Sequence, residues 1–404
     1  MSEAPPLPTL LLIPTGIGCA VGGYAGDGLP AARLLAAASG CLITHPNVMN
    51  GASLYWSDRR IQYLEGWALD RFAAGELALA PVAGRRVGLL LDAGIEPELR
   101  TRQIQAAEAC RATLGLAIGP VLTTEEPLGV GLSLGASGSS WGTLERPDTL
   151  LRAGERLVEG GATAIAVVAR FPDDPDSEAL AAYRGGAGVD ALAGAEAVIS
   201  HLLVRHLGIP CAHAPALAPL PLDPALDPRA AAEELGHTFL PCVLVGLSRA
   251  PDLVPLGPVG ASTADGSSGM VSARGSFPEG GAGEALDRWG GMGEGWPHRW
   301  SVNSGGARPG FLPGLLEVAN LGAVVAPAAA LGSEAVLACA ARGIPLIAVA
   351  GNPCLLQVDG EALGLAVLEA ASYPEAAGLV LALREGLEPG GLRRPLPPLD
   401  VANG

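Results

Sequence analysis

Lysine is missing from this sequence; all 25 basic residues are arginine. Its absence excludes Schiff-base chemistry with a substrate or with pyridoxal phosphate, and it excludes a Walker-type phosphate loop, which needs a lysine. Anion recognition is left to arginine forks, backbone N–H groups or a metal. Positive charge is scarce altogether. The net charge is −16 with an isoelectric point near 4.8, and the arginines adjoin one another only as pairs at 59–60, 85–86 and 393–394. A nucleic-acid backbone would be repelled, so nucleic acid is not an expected partner.

Long apolar runs are lacking too. No stretch reaches the ~18 uninterrupted apolar residues that a spanning helix requires. The opening MSEAPPLPTLLLIPTG has no basic leader, and its apolar core of about five residues reads as a first β-strand and not as a signal peptide. The expectation is a cytoplasmic protein without a membrane partner. No CxxC pair occurs among the seven cysteines at 19, 41, 110, 211, 242, 339 and 354. They read as reduced core residues and not as a disulfide framework.

What is present is a chain of 404 residues, 49% hydrophobic, with mean hydropathy +0.35. That length accommodates two domains. Short apolar runs at 9–12, 41–44, 87–91, 116–122 and 164–169 read as strands. Helical patterns at 30–39, 61–73, 98–114 and 149–159 fall between them. Later strands are expected before Cys211 and His213 and at 243–245, 323–326 and 344–350, with a short helix at 229–235. This alternation predicts an α/β fold: mainly parallel, Rossmann-like sheets with helices on both faces, in two subdomains. The division expected is 1–150, then 151–255 joined with 314–390. Residues 256–313, rich in Gly and Ser but carrying Trp289, Trp296 and Trp300, read as an insertion or linker, and 391–404 as an extended tail.

Chemistry-bearing residues gather where the expected strands stop. The loop after the first strand offers Thr15, Gly16 and Gly18, whose N–H groups suit an anion. Only the loose GxGxxxG spacing of Gly16, Gly18 and Gly22 survives there. A dinucleotide site wants GxGxxG and an acidic residue after the second strand, where His45, Pro46 and Asn47 stand instead. A plain Gly-rich connection is the alternative. His45, Asn47 and Asn50 serve either a ligand or the turn itself. Ser133 sits in a G-x-S-x-G match, the nucleophile elbow of serine hydrolases, but a Gly/Ser loop follows it where a helix should open. Ser139 and Ser140, beside Trp141, make the better anion nest.

Asp173, Asp174 and Asp176 suit either a hard divalent cation or an acidic surface turn. Arg170, Tyr183, Arg184 and Arg249 suit anionic or planar groups, against the alternative of solvated surface residues. Cys211 and His213, with Cys242, His201 and His237 in range, lack standard zinc spacing, and His213 reads better as a general base. One of Glu233 and Glu234 is expected to turn inward.

The segments HPNVMNGASLYW, GSSWGT, AIAVVARFPDD, YRGGAGVD, GAEAVISH, IPCAHAPA and AEELGHTFLPCVLVGLSRAP together resemble a family catalogued as domain of unknown function 3326, known mainly from cyanobacteria and plant plastids. The resemblance covers residues 8–251 and resumes at about 314–365. It implies no particular reaction. Two departures stand out: 256–313 is longer than the family pattern, and Ala350-Gly351-Asn352 replaces a more acidic segment.

The expectation that follows is an enzyme acting on a small anionic metabolite by acid/base or metal-assisted chemistry. His213 or His45 would transfer the proton. Asp173, Asp174 or Asp190 would orient groups or hold a divalent metal, and Arg170, Arg184 and Arg249 would bind the anion. A non-catalytic small-molecule sensor or assembly factor is the alternative, and a serine hydrolase using Ser133 is the third. Homo-oligomerisation is left open.

Overall fold

The computed structural model describes residues 4–50, 58–174, 176–234, 239–256, 314–392 and 394–396. All but Leu256 of the insertion expected at 256–313, with His237 and most of the tail, lie outside the described residues. Fourteen strands occur in the described chain: β1 (Thr9–Leu11), β2 (Leu42–Thr44), β3 (Ile61–Tyr63), β4 (Leu77–Ala80), β5 (Arg86–Leu91), β6 (Ala117–Thr123), β7 (Val130–Leu134), β8 (Ser140–Leu144), β9 (Ala164–Arg170), β10 (Cys211–Ala216), β11 (Asp252–Pro255), β12 (Ala323–Pro327), β13 (Leu346–Val349) and β14 (Leu368–Ala370). The helices are α1 (Leu29–Ser39), α2 (Pro46–Met49), α3 (Gly66–Ala73), α4 (Pro97–Leu114), α5 (Pro147–Glu159), α6 (Glu178–Arg184), α7 (Ala193–Leu207), α8 (Pro228–Glu234), α9 (Phe239–Leu247), α10 (Glu334–Ala341), α11 (Gly360–Leu363) and α12 (Tyr373–Arg384).

The α/β expectation holds. One sheet has six parallel strands in the order β14-β13-β12-β1-β2-β3. Renumbered within that sheet, this is 3-2-1-4-5-6, the doubly wound order whose direction reverses between β1 and β12. The second sheet, β10-β9-β5-β6, is also parallel. The first sheet takes its strands from both ends of the chain, 9–63 and 323–370, and the second from 86–216. The boundary expected near residue 150 therefore falls inside α5.

Strands covered on both faces read as unbroken apolar runs because no side of them meets water. Alternate residues feed two apolar layers, each drawing on both sheets. Leu11, Leu42, Leu89, Ala166 and Val325 lie in one layer with α1, α4, α9 and α12. Leu10, Ile43, Leu90, Ile165 and Val324 lie in the other with α3, α5, α7 and α10.

Three local readings need correction. Residues 243–245 are not a strand but part of α9, whose Leu240, Cys242, Val243, Leu244 and Leu247 are all buried. A short helix buried nearly all round shows no 3.6-residue period, so its apolar run imitates a buried strand. The helix expected at 61–73 is a strand, β3, followed by α3. Glu65 makes that break, its carboxylate capping α3 by accepting the N–H groups of Trp67 and Ala68. The Gly/Ser loop at 131–144 is the antiparallel hairpin β7–β8.

Candidate functional site

The sheet order reverses between β1 and β12, and the Gly-rich segment 14–28 leaves β1 at that point. Gly16 needs to be glycine twice over. Its φ is +70°, and a Cβ there would lie 2.3 Å from Ser140 Oγ. That close approach sets the loop against the hairpin and against the start of α7. The Ser140 N–H donates to the Gly16 carbonyl (3.0 Å), and the Gly194 N–H donates to Ser140 Oγ (3.1 Å). Gly142 completes the contact, since a Cβ there would fall 2.1 Å from Ala195 Cα.

The residues expected to bind a ligand from this region are used mainly by the loop itself. The Thr15 hydroxyl donates to Asn47 Oδ1 (3.2 Å), and Asn47 Nδ2 donates to the Gly22 carbonyl (2.8 Å). Asn50 accepts from the Tyr63 hydroxyl (2.8 Å). His45 accepts the Ile13 N–H on Nε2 (3.1 Å), and burial pushes its pKa down to about 4, so the ring is neutral near pH 7. Ser139 bonds Ser137 (2.8 Å) on the exposed hairpin tip, and Gly18 lies in the same loop as Gly16.

Titratable groups converge deeper, between α7, β10 and α8. Glu196 and Ser200 stand four residues apart on α7 and so share a face. His213 on β10 meets both: Ser200 Oγ is 2.5 Å from Nδ1, and Glu196 Oε2 is 3.4 Å from Nε2. Asp190, just before α7, accepts the Leu192 N–H on Oδ1 (2.9 Å). Burial, and then the charge of Glu196, raise its pKa to about 7, against the pull of the Leu192 N–H and of His213. Glu233 is buried and pushed well above the usual carboxylate range by burial and by Asp190. It is the glutamate of the 233–234 pair that turns inward. It accepts the Tyr183 hydroxyl (2.8 Å) and the Ala25 N–H.

The Gly-rich loop reaches this centre through Gly23, Tyr24 and Ala25. The Tyr24 hydroxyl donates to the Tyr183 carbonyl (2.8 Å), and the two rings stack at 4.3 Å. Arg229 lies over Tyr24 at 4.5 Å and pairs with Asp227 (3.0 Å). Asp27, raised to about 6 chiefly by burial, holds the Gly22 N–H at 2.6 Å.

Of the residues singled out from sequence, His213, Asp190 and Tyr183 are brought together. The arginines are not gathered there. Arg170 pairs with Glu96 (2.8 Å) and Asp173, and Asp173 also accepts the Ala218 N–H (3.2 Å). Arg184 pairs with Glu234 (3.0 Å) and donates to the Pro221 carbonyl (2.6 Å). Arg249 follows α9, its basicity lowered by burial and by Arg59. Asp174 is exposed. Ser133 lies inside β7, opposite Trp141, not at a strand-to-helix turn. Glu196, Ser200, Tyr24 and Glu233 complete the centre. The sequence pointed to one of Glu233 and Glu234 turning inward, but for Glu196 and Ser200 it offered only their four-residue spacing, which does not reveal the strand they face, and for Tyr24 nothing. Among the described residues no group of three or more His, Cys, Asp or Glu is placed to hold a metal.

The pattern of the family described as Protein of unknown function (DUF3326) matches residues 8–269 and 307–393. The chain belongs to the DUF3326 family. Every residue of the centre lies within the matched span. An uncharacterized lipoprotein of Synechococcus sp. is similar to this DUF3326 chain, with 51% identity over 386 residues, covering 96% of this chain and 93% of the relative. No solved structure matches. Among the described residues no helix is long and apolar enough to cross a membrane.

Proposed function

We propose that the chain is an enzyme that moves a proton on a small molecule bound beside His213, Asp190 and Glu196. One observation carries this reading: a carboxyl group with a pKa of about 7, Asp190, next to a histidine pinned at both ring nitrogens. A group that titrates near the working pH both gives and takes protons readily. Paired titratable groups in contrasting environments are also how one site divides acid and base roles. Ser200 at Nδ1 and Glu196 at Nε2 would hold the His213 ring, with Asp190 beside it as the group that exchanges a proton with the substrate.

The charge distribution favours a neutral or cationic reacting group over the anion expected from sequence. Arg170, Arg184 and Arg229 are each paired with a carboxylate, while Asp190, Glu196 and Glu233 converge. The test is turnover of a mixed small-molecule extract followed by mass spectrometry. Wild-type protein should deplete at least one compound that neither Asp190→Asn nor His213→Ala depletes. Equal depletion by all three proteins would remove the chemistry from this centre.

The reading of a non-catalytic sensor or assembly factor draws support from the hairpin, where Leu134 and Trp141 are 57% and 55% exposed. Co-purification of an unaltered small molecule, with no compound consumed, would favour it. We place the folded domain in the cytoplasm, because all seven cysteines are free and buried. The relative's description as a lipoprotein supports a membrane-tethered alternative. Recovery of the protein in the membrane fraction of lysed cells would decide for the tether.

A further inference from the structure

Residues 17–21 of the Gly-rich segment run antiparallel to 352–355, the turn that follows β13. Leu355 N–H donates to the Ile17 carbonyl (2.9 Å), and Ala20 N–H donates to the Pro353 carbonyl (3.0 Å). Val21 N–H donates to Asn352 Oδ1 (2.8 Å), while Asn352 Nδ2 returns to the Val21 carbonyl (2.9 Å). The 17–355 and 20–353 bonds bracket Cys19 on one segment and Cys354 on the other, so the two lie side by side. The two thiols are in hydrogen-bonding contact. A disulfide needs Cβ atoms about 3.5–4.5 Å apart, a short adjustment for two thiols already in contact.

We propose that Cys19 and Cys354 form a thiol–disulfide exchange site, oxidised by a low-molecular-weight disulfide of the glutathione type. Both thiols are free, 2% and 7% exposed, but Ala20, Pro353 and Leu355 beside them are exposed, so the pair lies just beneath the surface. Their environments differ as the chemistry requires. The hydrogen bond from Cys19 holds Cys354 below the usual thiol range, whereas burial pushes Cys41, Cys110, Cys211 and Cys339 above it.

The exchange balances in two steps. The Cys354 thiolate attacks one sulfur of the small disulfide RSSR, forming Cys354–S–S–R and expelling RS⁻. Cys19 then loses its proton and attacks the Cys354 sulfur, forming the Cys19–Cys354 bond and expelling the second RS⁻, which leaves as RSH. Two protein thiols are oxidised and one RSSR is reduced to two RSH. The new bond fastens the 14–28 segment to the end of β13. The same segment carries Tyr24 and Ala25, the residues that touch Tyr183 and Glu233. Any effect on turnover rests on the function proposed above; the disulfide itself does not.

The experiment uses full-length protein, first reduced, then equilibrated with glutathione disulfide, alkylated and mapped by mass spectrometry. Two of the seven thiols should be lost, with one crosslinked peptide pair joining Cys19 to Cys354, reversed by dithiothreitol. Cys19→Ser should stop at a glutathione adduct on Cys354, and Cys354→Ser should give neither adduct nor crosslink. Protease cleavage within 14–28 should slow at least about fivefold on oxidation. Retention of all seven thiols, or a crosslink elsewhere such as Cys110 to Cys242, would overturn the proposal. So would a Cys19–Cys354 bond that forms only in urea. The wild-type map is decisive even if a serine variant fails to fold. If the bond forms while no compound is ever turned over, the exchange site stands and the enzymatic reading alone falls.

Discussion

Ser200 Oγ lies 2.5 Å from His213 Nδ1, and Ser200 is only 1% exposed. The hydroxyl is thus no nucleophile for a substrate; it fixes a ring. With Glu196 at Nε2, the imidazole is held from both sides by one face of α7. Ser200→Ala should cost about 1 kcal/mol in urea unfolding, the ordinary loss for one such hydrogen bond. Once a substrate is known, turnover should drop on the order of tenfold with KM little changed. A KM effect alone would show that the ring's position does not matter to the chemistry.

Asp190 makes stability depend on pH in a defined sense. Its pKa is about 7 in the folded chain and about 3.9 in an unfolded one, so between those values the folded state keeps a proton that the unfolded state has released. Its stabilising contribution is full below about pH 4 and is lost as the pH rises to about 7. Glu233 acts in the same direction. His45, lowered to about 4, acts oppositely, losing its contribution as the pH falls through that value. The clean readout is therefore a difference. Relative to Asp190→Asn, the wild type should lose on the order of 1 kcal/mol per unit as pH rises from about 4 to 7, measured by urea midpoints. A flat difference would mean that Asp190 titrates normally.

Asp92 is buried to 1% and ties three backbone segments together. It accepts the N–H groups of Gly94 (2.9 Å), Leu128 (3.0 Å) and Arg170 (3.0 Å). Asp92→Ala orphans all three donors and should cost about 3 kcal/mol, while Asp92→Asn, which keeps one acceptor oxygen, should cost less. Thermal unfolding of the two variants checks the order.

Gly142→Val should undock the hairpin, because a Cβ at that position lies 2.1 Å from Ala195 Cα. A loss of about 2 kcal/mol is expected, with faster amide exchange across 130–144 than across the sheets. Unchanged exchange would show that α7 yields instead.

The central strands were legible in the sequence because burial on both faces leaves an unmistakable run, as in residues 164–169. The hairpin was not, because Gly131, Gly135, Gly138 and Gly142 suppress the alternation that marks a half-buried strand; at Gly142 the reason is the backbone of Ala195. The site was legible in part. His213, Asp190 and Tyr183 stood out as polar groups near the ends of apolar segments. Arg170 and Arg184 stood out equally, and composition does not show that Glu96, Asp173 and Glu234 neutralise them. Tyr24 and Glu233 lie more than two hundred residues apart in the sequence, and only the path of the 14–28 segment brings them to one centre.

The middle of the six-stranded sheet is the pairing of β1 with β12, Thr9 beside Ala323 and Leu11 beside Val325. During synthesis the first strand leaves the ribosome long before its neighbour exists. The four-stranded sheet, drawn from 86–216, can assemble in the meantime, but Leu10 and Leu11 must wait for the far end of the chain. A nascent chain halted before residue 323 therefore carries an unfinished sheet edge at Leu10 and Leu11, and should bind a chaperone that the released protein ignores.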